Sequence, residues 1–172
     1  MINYDLTKIK ALVFDVDGVL SSGTISVNTK GELFRTTSVK DGYALHLAVK
    51  MGYRVAIITG GCEESILLRY KEIGLEDIYL GSSVKTDILQ QFLGKYDLSK
   101  DEILYMGDDI PDYKVMQQVG LPCCPRDAAP EIREISLYVS LCDGGCGCVR
   151  DVIEQVLKAQ GKWMADDRAF MW

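Results

Sequence analysis

The stretch from Lys10 to Leu20, Lys-Ala-Leu-Val-Phe-Asp-Val-Asp-Gly-Val-Leu, limits the possible folds more than any other part of the chain. Ala11, Leu12, Val13 and Phe14 form an unbroken apolar run without the spacing of an amphipathic helix, and Val13 and Phe14 favour strands. Such a run reads as a strand buried on both faces, the situation of a parallel sheet covered by helices. It stops at two carboxylates one residue apart, Asp15 and Asp17, and Gly18 then permits a sharp turn. Two anions at the mouth of an apolar strand are costly to bury unless a cation or a catalytic task compensates. A plain solvated turn is the alternative, because Asp and Gly are also ordinary turn residues.

The pattern recurs. Residues 53–58 read as a buried strand running into Thr59-Gly60-Gly61, residues 78–80 as a short strand, and residues 102–106 as a strand running into Gly107-Asp108-Asp109. Helices are expected at 42–51 behind an Asp41 cap, and at 63–73, 85–96, 110–119 and 149–159. Residues 121–124 and 137–139 read as short edge-type strands. Strands alternating with helices predict an α/β fold, a doubly wound parallel sheet with right-handed crossovers. Residues 24–27 and 32–35 alternate polar and apolar around Asn28-Thr29-Lys30-Gly31, so 24–37 reads as a β-hairpin flap. Residues 161–172 read as a C-terminal tail. With no repeat or linker, residues 1–172 are expected to form one domain.

In a parallel sheet the strand ends share one edge, where ligands bind. That edge would gather Asp15, Asp17, Thr59, Asp108 and Asp109, with Lys85 reaching it from a helix start. The carboxylates are the hard oxygen ligands Mg²⁺ prefers, and Mg²⁺ often also holds a substrate phosphate. A hydroxyl and an ammonium are natural phosphate partners. The net charge of −6 argues against a nucleic-acid partner but not against a small anion beside a metal ion. No apolar run has the length of a membrane span, and residues 1–10 lack the layout of a signal peptide, so a cytoplasmic protein without a membrane partner is expected. The six cysteines need not form a disulfide framework in a chain of 172 residues that is 48% apolar. Cys142, Cys146 and Cys148 lack paired zinc-ligand spacing and lie far from His46, the only histidine. They read as buried or loop thiols, with a zinc site as the alternative.

Asp15-Val16-Asp17-Gly18-Val19, Thr59, Lys85 and Gly107-Asp108-Asp109-Ile110-Pro111-Asp112 resemble, in order, the four motifs of the haloacid dehalogenase superfamily of phosphohydrolases. The resemblance covers nearly the whole chain. The hairpin after the first motif, Gly144-Gly145-Cys146-Gly147 before Val149-Arg150, and Ala159-Gln160-Gly161-Lys162 are similar to its capless branch of 3-deoxy-D-manno-octulosonate 8-phosphate phosphatases. This implies a Rossmann-like sheet without a cap domain. It implies Mg²⁺-dependent hydrolysis of a small anionic sugar acid phosphate, in lipopolysaccharide sugar biosynthesis, by a homo-oligomer expected to be a tetramer.

The resemblance also assigns roles. Asp15 would be the nucleophile, forming an aspartyl-phosphate, and Asp17 the acid and then the base. Mg²⁺ would be held by Asp15, the backbone carbonyl of Asp17, and Asp108, with Asp109 and Asp112 behind them or acting through water. Asp112 could equally be a helix-start carboxylate. Thr59, Gly60 and Lys85 would bind the phosphoryl group, and Arg69 the carboxylate side of the substrate. Many such phosphatases carry arginine two positions after the threonine, and a nine-carbon relative carries glutamate. Gly61 stands there in this chain, which leaves a nine-carbon sugar acid 9-phosphate as the second substrate reading.

A phospho-receiver domain is the non-enzyme alternative, although its acidic pair would open the chain and it has no flap. His46 reads as packed, Arg150 as securing the glycine loop, and Trp163 and Trp172 as core anchors or interface residues. The tail is unusually apolar, with Trp163, Met164, Phe170, Met171 and Trp172. It is expected to close an active site, most readily a neighbouring subunit's, with Arg168 meeting a substrate carboxylate. Packing on its own subunit is the alternative.

Overall fold

The computed structural model describes residues 1–171. In chain order the elements are β1 (Ala11–Phe14), β2 (Ser26–Val27), β3 (Leu33–Phe34), α1 (Val39–Lys50), β4 (Arg54–Ile58), α2 (Glu64–Glu72), β5 (Asp77–Tyr79), α3 (Lys85–Tyr96), β6 (Ile103–Met106), α4 (Tyr113–Met116), β7 (Leu121–Cys124), α5 (Pro130–Ile135), β8 (Tyr138–Val139) and α6 (Cys148–Ala159). Six strands make one parallel sheet in the order β5-β4-β1-β6-β7-β8, and β2 and β3 pair antiparallel as the flap.

β1 lies at the centre, with Phe14 opposite both Ile57 and Met106. Its four side chains are fully buried and alternate between two cores. Leu12 and Phe14 join the side of α1 and α6, with Leu45, Leu47, Val152 and Ile153. Ala11 and Val13 join the side of α3, α4 and α5, with Leu89, Phe92, Met116 and Ile132. The unbroken apolar run in the sequence is the consequence of this two-sided burial.

Several expectations change. The cap of α1 is Ser38, whose Oγ accepts from the Asp41 N–H at 3.2 Å. Asp41 instead caps α6 from across the core, accepting from the N–H groups of Arg150 at 2.7 Å and Gly147 at 3.1 Å. β7 is an interior strand between β6 and β8. The helix expected over 110–119 is a 3-10 turn, Ile110–Asp112, followed by the single turn of α4. Six-residue α5 was not foreseen, because so short a helix shows no period. His46 Nδ1 lies 2.8 Å from the Ile73 carbonyl, at the end of α2.

The tail lies against its own α1. Trp163 meets Tyr43 edge to face at 6.3 Å, and the Tyr43 hydroxyl donates to the Ala169 carbonyl at 2.5 Å. Phe170 and Met171 remain exposed, and Trp172 lies outside the described residues. All six cysteines are free. Among the described residues no helix is long and apolar enough to cross a membrane.

Candidate active site

β1 delivers Asp15 in extended conformation, and the chain then winds through a tight turn, Val16–Leu20, closed by the Ser21 N–H on the Val16 carbonyl at 2.8 Å. Gly18 sits at φ +81°, and a Cβ on it would fall 1.9 Å from Asp108 Oδ2. Only glycine lets the first and fourth motifs close on each other. The glycine loop before α6 backs this turn. A Cβ on Gly144 would lie 1.9 Å from the Gly18 carbonyl oxygen, and the Gly145 N–H donates to the Val19 carbonyl at 2.8 Å.

The ends of β1 and β6 and the start of α3 then build a buried charged cluster. Lys85 Nζ lies 2.9 Å from Asp15 Oδ2 and 2.7 Å from Asp112 Oδ1, and the Tyr105 hydroxyl also donates to Asp112 Oδ1 at 2.7 Å. Asp112 is thus a buried anchor for the lysine, not a solvated helix-start carboxylate. Asp15, Asp108 and Asp112 offer oxygens within 4.8 Å of one another, the one acidic group of this kind among the described residues. Burial first, then repulsion from Asp112, pushes the Asp15 carboxyl up to about 7. Burial, then Asp15 and Asp112, pushes Asp108 up to about 8. Lys85 is held above its ordinary range, because Asp15 and Asp112 outweigh the burial that opposes its charge. One ammonium faces three carboxylates, and the buried Asp15 Oδ1 has no partner. A hard divalent cation fits this set of donors.

Thr59 caps β4 on the same edge. It is buried, its Oγ1 accepts from the Gly61 N–H at 3.1 Å, and its hydroxyl proton is left to donate. Gly60 is exposed with open space beside it. Asp109 is exposed, and its carbonyl receives the Asp112 N–H at 2.8 Å.

The Asp17 side chain turns away from the cluster. Its carboxylate receives Arg35 Nε at 2.6 Å, Arg35 Nη2 at 3.0 Å and the Ser21 hydroxyl at 3.1 Å. Only its backbone carbonyl remains for a metal. Arg35 comes from the flap, and its side chain is 7% exposed. Its Nη1 approaches Glu63 Oε2 to 2.9 Å without hydrogen-bond alignment. Neither Arg35 nor Glu63 was expected at the site. An arginine ending an alternating strand looks like any solvated flap residue, and only the lack of a side chain at Gly61 hinted at a cation from elsewhere. Arg69 lies 3.5 Å from Glu72 and lines, with Arg35, a cavity of about 290 Å³ under the flap. Arg168 is not brought to the site within this chain. It bonds to Asp166 and to the Lys50 carbonyl, at the far end of α1 where β4 begins.

A model of the haloacid dehalogenase-like hydrolases matches residues 62–144. The chain is 38% identical to the 3-deoxy-D-manno-octulosonate 8-phosphate phosphatase KdsC of Escherichia coli strain K12, covering 90% of this chain and 82% of that one. It is similar to the crystal structure of the 3-deoxy-D-manno-octulosonate 8-phosphate phosphatase from Yersinia pestis, with a TM-score of 0.89 and 35% identity over 92% of this chain and 85% of that one. The enzyme of that kind from Moraxella catarrhalis, solved with magnesium ion, phosphate ion and KDO, gives a TM-score of 0.87 and 34% identity over 90% of this chain and 89% of that one.

Proposed function

This chain belongs to the haloacid dehalogenase-like hydrolases, and from that premise we infer that it is a Mg²⁺-dependent phosphatase of 3-deoxy-D-manno-octulosonate 8-phosphate in lipopolysaccharide sugar biosynthesis. The observation that carries the reading is the buried cluster of Lys85 with Asp15, Asp108 and Asp112, with the partnerless Asp15 Oδ1 at its centre. A bound Mg²⁺, held by Asp15, the Asp17 carbonyl and Asp108, would supply the positive charge that lets a carboxylate approach a phosphate. Asp15 attacks phosphorus, the ester oxygen leaves with a proton from Asp17, and an aspartyl-phosphate forms. Water then attacks that phosphorus and gives its proton to Asp17, which releases phosphate and restores Asp15. Lys85 screens the nucleophile, Thr59 and the Gly60 backbone hold phosphoryl oxygens, and Asp112 with Tyr105 fixes Lys85.

We take residues 1–172 as one hydrolase domain, with 24–37 as flap and 161–172 as tail. The flap exposes Ile25, Val27 and Phe34. That exposed apolar surface supports a homo-oligomer, expected to be a tetramer, in which neighbouring subunits would cover it. Free cysteines are consistent with a reducing, cytoplasmic setting. The test is kcat/KM over eight- and nine-carbon sugar acid phosphates with Mg²⁺. The eight-carbon ester is expected to lead, and preference for the nine-carbon 9-phosphate would replace this assignment.

A further inference from the structure

We propose that Arg35 recognises the substrate's carboxylate, and that in the free enzyme Asp17 occupies the place of that carboxylate. The inference rests on the sugar acid reading above. Every aligned hydrogen bond of the Arg35 guanidinium goes to Asp17, through a bidentate fork. With the Ser21 hydroxyl added, both Asp17 oxygens act as acceptors. Both oxygens are taken up by Arg35 and Ser21, so the fork has to open before Asp17 can reach a leaving group. A guanidinium this buried does not leave for nothing, because an unpaired charge is costly there. A second carboxylate can draw it off at little cost.

The surroundings suit such an exchange. Arg35 follows the flap strands, outside the six-stranded sheet. Its Nη1 has no aligned acceptor, and Glu63 at 2.9 Å keeps the cation company as it turns. A Cβ on Gly61 would press on Ile66 Cδ1 at 2.9 Å and Glu63 Oε2 at 3.2 Å and would come into contact with Arg35 Nη2 at 3.4 Å, so the guanidinium packs beside this glycine. The cavity beside it, lined by Val16, Leu33, Phe34, Arg35, Ile66 and Arg69, has about 290 Å³ and two cations. A sugar acid lying there would present its carboxylate to Arg35 and free Asp17. Selectivity would then be expressed in the chemical step as well as in binding.

The experiment compares Arg35→Met with wild type on two alkyl phosphates, the eight-carbon sugar acid 8-phosphate and an aldopentose 5-phosphate without a carboxylate. For the sugar acid ester kcat/KM should fall roughly 100-fold. For the aldose ester it should rise, because Asp17 is no longer held. An equal fall on both esters would make Arg35 only a support for Asp17, and no fall on the acid would remove it from recognition. Either result overturns the proposal. Arg35→Lys keeps the cation but not the fork, and serves if the methionine variant does not fold. Its preference for the acid over the aldose ester should shrink, and unchanged preference would equally overturn the idea. If wild type fails on the sugar acid ester, the functional reading falls before any variant is made.

Discussion

Two ionic clusters flank the same nucleophile loop, and they are built differently. The Lys85, Asp15 and Asp112 cluster hangs on β1, α3 and the turn after β6, and is nearly sealed from water. The Arg35, Asp17 and Glu63 cluster hangs on the flap, with Asp17 and Glu63 about a third exposed. Each sets one cation against two carboxylates and leaves a polar atom without an aligned partner, but the first is the drier and has Asp108 crowded beside it. The second ties its one cation to the catalytic carboxylate Asp17 by a bidentate fork. A rigid, unsatisfied cluster is suited to wait for a metal and a phosphoryl group. A partly exposed cluster on the flap, outside the six-stranded sheet, is suited to exchange one carboxylate for another. The division assigns charge neutralisation to the sheet edge and selection to the flap.

The largest effect should come from breaking the rigid cluster at its centre. Asp15→Asn should abolish turnover, since no neighbouring carboxylate occupies the end of β1. It should not unfold the protein. Removing one of three crowded carboxyl groups relieves repulsion where they ionise, so the metal-free melting temperature near pH 8 should hold or rise. Residual turnover near that of wild type, measured by phosphate release, would take the nucleophile role from Asp15.

Next in size is a pH effect on the same cluster. Asp15 and Asp108, ordinarily near 3.8, are raised to about 7 and about 8. Raised carboxyls favour the protonated folded state, so the stability they contribute is complete below about pH 4 and is lost as pH climbs through about 7 to 8. A divalent cation binds the ionised carboxylates and reverses that loss. The gain in melting temperature on adding Mg²⁺ should therefore be small near pH 5 and large near pH 8. A gain independent of pH would mean that the cation binds elsewhere. In Asp15→Asn the pH-dependent gain should shrink, because only Asp108 of the two raised carboxyls remains.

The contrast also explains what could be seen in advance. The rigid cluster was legible because each member sits at the end of a strand or the start of a helix with its own pattern. α3 begins at Lys85 and ends at Tyr96, as its apolar period indicates, and β1 ends where the apolar run stops. The flap cluster was not legible, because its partners are 18 residues apart on an irregular loop and no period links Arg35 to Asp17. The same holds for Asp41, 109 residues from the Arg150 N–H it caps. Its local sequence suggested its own helix, and only the packing of α1 on α6 redirects it. β7 reads as an edge strand because it is short, yet it pairs in parallel on both sides, with β6 and β8. Arg168 drew attention as the cation of an apolar tail, and in this chain it closes on Asp166 instead.

The smallest expected effect sharpens the comparison from the flap side. Glu63 meets Arg35 without hydrogen-bond alignment and is partly exposed, so their attraction is weak, on the order of 0.2–1 kcal/mol. It nevertheless competes with any incoming carboxylate for the same guanidinium. Glu63→Gln keeps the side-chain size and removes that competition. KM for the sugar acid phosphate should fall by roughly 1.4- to 5-fold, the factor that such an energy allows, with kcat little changed. The aldopentose ester, which presents no carboxylate, should show no such fall. Steady-state kinetics on both esters reads the difference directly. A rise in KM for the acid would mean that Glu63 holds Arg35 ready to receive the substrate, so that the flap cluster is as fixed as the one on the sheet.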